Sequence, residues 1–185
     1  MAGEDFRSVS ISMAYRIIHP RPAILVISSN SEGKVNGMIA AWTTPISRDP
    51  PLLGVSIAPS RYTHEFIEDS KEFTLNILDK RYVKEVHFLG TVSGRDRDKL
   101  AESGLTLRKS RKIRPPHVAE ALAVIECKVE KGITIGDHTL FIGRIVDAYA
   151  KKDVFDETYL PEKAKILLHL GGADYATISD ETIRP

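Results

Sequence analysis

Short runs of β-branched and other apolar residues dominate the sequence, and turn-forming residues separate them. Helical patterns are confined to residues 63–70, 82–90 and 96–103, and they do not alternate regularly with the strand-like runs. A doubly wound parallel sheet requires that alternation. We therefore expect a mainly β fold of about seven strands with short inserted helices, arranged as a closed or nearly closed antiparallel barrel with Greek-key-like order. The strand-like runs cover residues 23–28, 35–43, 52–58, 73–78, 122–130 and 139–150, with shorter extended pieces at 166–170 and 175–178.

Turn and cap residues mark the ends of these elements. Residues 30–34 are dense in turn formers and predict a hairpin between the first two runs. Residues 45–51 contain three prolines and predict a loop of fixed shape. Thr63 is expected to cap the first helix, and Gly104 to end the third. Residues 131–137 predict a turn or irregular excursion between the two last long strands.

Composition indicates an ordinary globular chain. Of its 185 residues, 42% are hydrophobic and 28% charged, which favours a single domain over residues 1–185. The formal net charge of +1 gives no global field that would recruit nucleic acid or a membrane surface. The apolar runs are much shorter than the ~20 residues of a membrane helix. The acidic N-terminus also lacks the order of a signal peptide.

The single cysteine, Cys127, rules out an internal disulfide framework. The alternation around it predicts a half-buried strand with a packed thiol on the apolar side. This cysteine usage suits a reducing compartment, and we expect a cytoplasmic protein. The basic segment 108–114 is expected to be a solvated surface connector.

Several common catalytic motifs are absent from the sequence. It contains no Gly-x-Gly-x-x-Gly after a strand, no Walker-type phosphate loop, no His-Glu-x-x-His and no Gly-x-Ser-x-Gly. The six histidines show no ligand spacing, so no metal site is predicted. An enzyme of this kind would take its reactive centre from an organic cofactor. The histidines are His19, His64, His87, His117, His138 and His169.

Two neighbouring segments fit an aromatic phosphate ester. In residues 36–51, the small residues Gly37, Ala40 and Ala41 would allow the backbone to approach a flat ring. In residues 56–63, a strand delivers Arg61 and three hydroxyl groups to the start of a helix, an arrangement that a phosphate dianion prefers. The alternative is an ordinary loop followed by a capped helix. The hydroxyl groups belong to Ser60, Tyr62 and Thr63.

Five motifs in the same order resemble the flavin reductase-like family, and within it the flavoredoxin-type members. The match spans about residues 13–178 and implies a split β-barrel homodimer that binds FMN near the subunit interface. The motifs are Asn36-Gly-Met-x-Ala-Ala-Trp, Pro45-x-Ser-x-Asp-Pro-Pro, Arg61-x-Thr, Ser93-Gly-Arg-Asp-x-Asp-Lys and Gly136-Asp-His-x-x-Phe-x-Gly-x-Ile.

The resemblance also implies roles for particular residues. Arg61 and Thr63 would bind the phosphate with Tyr62 between them, and Ser93 to Lys99 would add phosphate or interface contacts. His138 would lie near the flavin and the nicotinamide as the catalytic residue; the alternative is a turn histidine bonded to backbone. Asn36, Gly37, Met38, Ala40, Ala41 and Trp42 would line the isoalloxazine, Thr43 and Thr44 would continue toward the ribityl chain, and Ser56, Ile57 and Ala58 would run beside the flavin.

Two aromatic residues qualify this assignment. Trp42 stands where many relatives have a smaller polar residue, which changes the packing around the ring. Tyr175 is a candidate pocket wall, although an aromatic residue beside glycines often serves packing alone.

The implied function is an NAD(P)H-dependent flavin reductase that transfers hydride from nicotinamide to bound FMN and passes electrons to an acceptor. One site for a terminal phosphate favours FMN over FAD. Two alternatives remain: a flavoredoxin-type electron carrier reduced by a protein partner, and a non-enzymatic flavin-binding module. The sequence does not distinguish NADH from NADPH and does not identify the acceptor.

Overall fold

The computed structural model describes residues 5–184, and strands form most of its regular structure. Its strands are β1 (Arg21–Pro22), β2 (Ile24–Ser29), β3 (Val35–Ala40), β4 (Thr43–Ser47), β5 (Leu52–Ile57), β6 (Glu72–Ile77), β7 (Leu107–Arg108), β8 (His117–Val118), β9 (Ala123–Ile135), β10 (His138–Ala150), β11 (Phe155–Asp156), β12 (Thr158–Tyr159), β13 (Leu167–Gly171) and β14 (Asp174–Thr177). Its helices are α1 (Tyr62–Ser70), α2 (Val83–Thr91) and α3 (Lys99–Glu102), with 3-10 helices at Ile11–Ile18 and Lys80–Tyr82.

A seven-stranded antiparallel sheet forms the centre of the molecule. Its strand order is β3-β2-β6-β9-β10-β5-β4, so the two edge strands are neighbours in sequence. Next to the short link between them, the Ser56 amide donates to the Trp42 carbonyl at 2.9 Å. The predicted mainly β class with short inserted helices is confirmed.

Both faces of the sheet are buried, and β2 shows why. Ile24 and Val26 belong to one hydrophobic cluster, together with Phe73 and Phe141. Their neighbours Leu25 and Ile27 belong to a second cluster, which includes residues of α2 and α3. A strand that is covered on both sides reads as a continuous apolar run, as residues 23–28 do.

The hairpin of β9 and β10 is longer than the sequence predicts. Residues 131–135 continue β9 and pair with the start of β10, so the predicted excursion at 131–137 shortens to a tight turn. Gly136 takes a left-handed φ of 62° in that turn. The turn places His138 at the first position of β10.

The proline-rich segment is only partly a loop. Thr43 to Ser47, including Pro45, form edge strand β4 and pair with β5. Proline is tolerated at a sheet edge because its missing N–H costs no ladder bond there. The prediction of a loop over residues 45–51 is therefore wrong for 45–47.

The basic side chains of segment 108–114 are exposed, as predicted, while the backbone of the segment is anchored to the sheet. The carboxylate of Glu126 accepts the backbone N–H groups of Arg111 and Lys112, both at 2.7 Å, and the Tyr149 hydroxyl at 3.0 Å. Glu126 is fully buried, and Cys127 is buried on the opposite face, so the strand is covered on both faces at this point; Lys128 and Glu130 are exposed, as the alternation predicts. Burial raises the pKa of the Cys127 thiol to about 12, in keeping with the predicted packed thiol.

The N-cap of helix α1 lies two residues earlier than expected. Arg61 occupies the cap position without a side-chain capping bond, and Thr63 is the second helical residue. Thr63 does not cap the helix because it lies within the first turn, and its hydroxyl oxygen accepts a hydrogen bond from Asn36. Gly104, in contrast, has the left-handed φ of 72° expected after the third helix.

A small three-stranded sheet closes the chain. Its order is β1-β13-β14, which brings the segment after the first 3-10 helix against the C-terminal hairpin. Gly171 and Gly172, at the hairpin turn, both have positive φ. Over residues 5–184, the helices are all too short or too polar to cross a bilayer.

Candidate functional site

Two adjoining cavities open along the ends of β3 and β5, and they share Met38 and Arg61 in their walls. The larger, which we call the ring-end cavity, has a volume of about 400 Å³. The smaller, the phosphate-end cavity, has a volume of about 160 Å³. They adjoin at these two side chains, and we call the two cavities together the groove; residues of the β9–β10 turn line one end and residues of the start of α1 line the other.

The ring-end cavity collects most of the residues predicted to lie beside a flat ring. The link formed by Ala41 and Trp42 brings the ends of β3 and β5 close together, so residues of both strands line this cavity. Its predicted lining residues are Met38, Ala40, Ala41, Trp42, Ser56, Ile57, Ala58, Arg61 and His138.

His138 stands at the mouth of the ring-end cavity. Its ring stacks on Trp42 with centroids 4.7 Å apart and planes inclined by 29°. Its Nδ1 donates to Oδ1 of Asp137 at 2.7 Å, because a carboxylate can only accept. This bond lowers the pKa of the exposed Asp137 carboxyl. Neutral His138 therefore holds its proton on Nδ1, which leaves Nε2 as a hydrogen-bond acceptor.

Trp42 is the main difference from the expected ring site. Its indole packs against His138 on one side and makes an edge contact with Tyr15 on the other, with ring centroids 5.5 Å apart. The side chain thus narrows the cavity beside the predicted catalytic residue. Trp42 remains 38% exposed, so its ring also presents a surface to a ligand.

The phosphate-end cavity holds two cations that face no carboxylate. Arg61 has no acidic side chain within 4.0 Å in the described part of the chain. The Lys99 ammonium is buried and donates to the carbonyls of Leu89 and Val92 at 2.8 and 2.9 Å. An ammonium has three N–H donors, so one remains for a ligand. This cavity is lined by the residues predicted for the phosphate, and also by Asn36 and Met38, which the resemblance assigns to the ring; Asn36 lines only this cavity of the two. The residues predicted for the phosphate are Ser60, Arg61, Tyr62, Thr63, Ser93 and Lys99.

Lys99 has an unusual electrostatic environment. Burial, and secondarily the positive charge of Arg61, lower its pKa to about 8. Its side chain is only 5% exposed, and carbonyl dipoles replace only part of the water that it loses. An anion in the cavity would offset the repulsion from Arg61 and stabilise the charged form of Lys99, so the site favours a negatively charged group.

Three predicted residues lie outside both cavities. A Cβ added to Gly37 would meet Ile27, Leu100 and Leu25 at 3.2 Å, so this residue is small because it packs against the core. Thr43 and Thr44 belong to edge strand β4 and pair with Val55 and Gly54. The predicted reach toward a ribityl chain therefore has no support at Thr43 and Thr44.

The N-terminal 3-10 helix and the C-terminal hairpin supply lining residues that sequence reasoning missed. His19 and His169 are 150 positions apart, yet His19 Nδ1 donates to the His169 carbonyl at 3.0 Å. Pairing between β1 and β13 creates this contact, and no local pattern in the sequence predicts it. The residues missed in the ring-end cavity are Tyr15, Arg16, His19, Asp137, His169, Gly171 and Gly172.

Two further expectations can be compared with the structure. No group of three or more His, Cys, Asp or Glu side chains could hold a metal ion among residues 5–184. Tyr175 lines neither part of the groove. It contributes instead to a separate apolar cavity of about 420 Å³ beside α2.

The fold and this groove define a class: a mainly β split barrel with an anion-favouring site at one end of a cleft. A family model described as "Flavin reductase like domain" matches residues 15–176. The chain belongs to the flavin reductase-like family, as the motif resemblance predicts.

Individual relatives agree with this assignment. The ferric-chelate reductase (NAD(P)H) of Archaeoglobus fulgidus is 31% identical over 137 residues, which cover 74% of this chain and 80% of that protein. The crystal structure of an FMN-binding protein from Thermus thermophilus with bound 1-cyclohex-2-enone is 30% identical, with a TM-score of 0.86 and coverage of 97% and 98%. The flavoredoxin of Desulfovibrio vulgaris (Miyazaki F) is 25% identical, with a TM-score of 0.81 and coverage of 100% and 96%.

Proposed function

We propose that this protein binds FMN in the groove and acts as an NAD(P)H-dependent flavin reductase. The observation that carries the proposal is that the two cavities adjoin at Met38 and Arg61. A planar ring system would lie between Trp42 and the end of β5, and a terminal phosphate would lie at Arg61 and Lys99. The Thermus relative, an FMN-binding protein, supports the choice of ligand.

The donor set at the phosphate end fits a phosphate dianion. Arg61 supplies a guanidinium without a carboxylate partner, and Lys99 supplies a free N–H of a buried ammonium. Ser60 and Thr63 add hydroxyl groups in the same wall. Charge-assisted hydrogen bonds of this kind are roughly twice as strong as neutral ones. One such anion site favours FMN over FAD.

When bound, FMN would supply the redox chemistry by accepting a hydride from a nicotinamide. The residues of this chain bind and orient the reactants. Ala40, Ala41 and Ala58 leave room for a flat ring beside the backbone. His138 holds its proton on Nδ1 through Asp137, and Nε2 is the atom available to a ligand. If His138 gains a second proton, its positive charge would stabilise negative charge that develops nearby.

Two measurements test the proposal in sequence. Heat or acid extraction of the purified protein, followed by chromatography, should release FMN; recovery of mainly FAD, or of no flavin even after reconstitution, would refute FMN as the ligand. Anaerobic mixing of the flavin-loaded protein with NADH or NADPH should then bleach the flavin absorbance. The ferric-chelate reductase from Archaeoglobus, whose name includes NAD(P)H, motivates that choice of donors.

A second candidate is a flavoredoxin-type electron carrier that a protein partner reduces. The similarity to the Desulfovibrio flavoredoxin favours it. The same anaerobic experiment separates the two functions, because a carrier would stay oxidised with either nicotinamide and become reduced with dithionite. A protein that bound flavin but exchanged electrons with no donor would be a flavin-binding module.

The remaining assignments are also proposals. We propose a homodimer, which the apolar surface of the first 3-10 helix supports. A cytoplasmic location, a single domain over residues 1–185 and a core of about residues 13–178 stay predictions.

A further inference from the structure

Asn36 is buried at the phosphate end of the groove rather than beside the predicted ring site. Its side chain is 4% exposed, and its Nδ2 donates to the Thr63 hydroxyl oxygen at 2.7 Å. Thr63 itself is 1% exposed and lies in the first turn of α1. This bond joins β3 to α1 across the wall of the phosphate-end cavity.

The direction of this hydrogen bond determines what Thr63 can offer a ligand. A hydroxyl has one donor and two acceptor sites. Because Asn36 supplies the proton of the shared bond, the Thr63 hydroxyl keeps its own proton free. Both residues line the cavity that also contains Arg61 and Lys99. Thr63 is therefore poised to donate into an anion site.

Gly94 leaves room for the Asn36 amide. A Cβ added to Gly94 would lie 2.9 Å from Cγ of Asn36, which is too close for any larger residue without a shift. The loop that carries Gly94 is itself attached to α1: Arg95 forms an ion pair with Glu65, and its guanidinium lies over the Tyr62 ring at 4.7 Å. The amide is thus enclosed between this loop and Thr63.

We propose that Asn36 is a positioning residue that keeps the Thr63 hydroxyl as a phosphate donor, and that this device gives the groove its selectivity for a phosphorylated flavin over riboflavin. The proposal rests on FMN being the ligand. It assigns Asn36 a role at the phosphate rather than at the ring, and it explains why residue 94 is a glycine.

The test measures dissociation constants for FMN and for riboflavin with the flavin-free protein. Asn36→Ala and Thr63→Val should each raise the dissociation constant for FMN about tenfold to 100-fold, the range for the loss of one hydrogen bond to a charged group. Each variant should keep the dissociation constant for riboflavin within about twofold of the wild-type value, because riboflavin has no phosphate. The double variant should be no weaker than Thr63→Val alone, since the two residues act through one hydroxyl. Thr63→Ser, which retains the hydroxyl, should keep FMN affinity.

Three further variants protect the test against a folding defect. Gly94→Ala should displace the Asn36 amide and reproduce the selective loss of FMN. Its matched control is Gly132→Ala, where the added Cβ makes ordinary contacts of 3.5 to 3.6 Å outside the groove. Asn76→Ala removes another buried asparagine, one that lies outside the groove, and should not change the ratio of the two affinities.

The outcomes separate this inference from the proposed function. Wild-type protein that binds neither flavin would refute the proposed function, and this inference with it. Wild-type protein that binds FMN, with Asn36→Ala and Thr63→Val losing FMN and riboflavin equally or losing neither, would overturn the inference alone. Additive effects in the double variant would also overturn it.

Discussion

At the scale of single residues, Arg61 is the side chain whose removal tests the phosphate end most directly. Arg61→Ala removes a charge-assisted contact, and we expect FMN binding to weaken by about 1.5–3 kcal/mol. Riboflavin binding and the melting temperature should hardly change, because this arginine lies in the groove wall and not in the core. Isothermal titration measures the affinities. The exposed Arg48 gives a matched control through Arg48→Ala, and an FMN affinity equal to that of the control would exclude Arg61 from the site.

Lys99 gives the site a dependence on pH. Its pKa of about 8 in the folded protein lies below the ordinary lysine value of about 10.4. A phosphate ester loses its second proton near pH 6, so the ligand remains a dianion above neutrality. FMN affinity should therefore fall as the pH rises through about 8 and Lys99 loses its charge. Titrations across this range test the effect, and Lys99→Met should give weaker binding with a flatter pH profile.

The same shift predicts the effect of Lys99 on folding. Between pH values of about 8 and 10.4, the unfolded chain binds the proton that folded Lys99 has lost. The free energy of unfolding of the flavin-free protein should therefore increase as the pH rises through that window. Urea unfolding at several pH values measures it. A profile that Lys99→Met leaves unchanged would contradict the shift in the pKa of Lys99.

His138 tests the ring end of the groove. His138→Ala should slow anaerobic reduction by the nicotinamide while FMN stays bound, because the phosphate contacts lie elsewhere. A turn histidine bonded only to Asp137 would instead affect stability and leave the rate unchanged. Stopped-flow reduction of flavin-loaded protein distinguishes these results. Asp137→Asn serves as the partner variant, since it weakens the Nδ1 contact and keeps the imidazole.

At the scale of elements, Gly143 on β10 shows how closely the barrel strands pack. A Cβ at this position would lie 2.6 Å from Cζ of Phe73 and 2.9 Å from Cβ of Cys127, and both neighbours are fully buried. Gly143→Ala should destabilise the fold by about 1–3 kcal/mol. Thermal unfolding should show a clear decrease in melting temperature. Gly132→Ala on β9 is the control, and equal melting temperatures for the two variants would refute the packing argument.

Local sequence patterns predict the strands but not the contacts between distant segments. The run at residues 23–28 and the alternation at 73–78 depend on neighbouring residues, and both appear as strands. The local pattern places Glu126 on the polar side of its strand and gives no sign that it is buried. Its partners, the Arg111 and Lys112 amides, come from a loop that only the fold brings over it. Thr63 resembles a helix cap for the same reason, since Asn36 reaches it from another strand.

In the candidate site, too, sequence motifs predict some residues, and contacts between distant segments supply the others. Arg61 and Lys99 lie in motifs and are brought together at the phosphate end. The ring end also contains His19, His169 and Arg16. Strand pairing brings the two histidines there and the first 3-10 helix brings the arginine, and none of these segments carries a motif that would identify them. Gly37, which belongs to a motif, is small because the core requires it.

At the scale of the whole molecule, the first 3-10 helix is notable because it leaves its apolar side chains exposed. It has no buried residue, and Ile11, Ile17 and Ile18 are 92%, 68% and 63% exposed. Three exposed isoleucines on one short helix favour a role for this helix as an interaction site. Tyr15 and Arg16, from the same helix, line the ring-end cavity. A second subunit that covers this helix would therefore also fix one wall of the groove.

This arrangement predicts that dimer formation and flavin binding are coupled. Light scattering at micromolar concentration should give a dimer for the wild-type protein, and Ile11→Lys with Ile17→Lys should shift it toward monomer because two buried charges would oppose the contact. The same double variant should bind FMN more weakly, since it loosens the helix that carries Tyr15 and Arg16. Ile183→Lys, at a position that is 86% exposed near the C-terminus, should change neither property. A wild-type monomer that holds FMN tightly would contradict the dimer, and a monomeric double variant with unchanged FMN affinity would contradict the coupling.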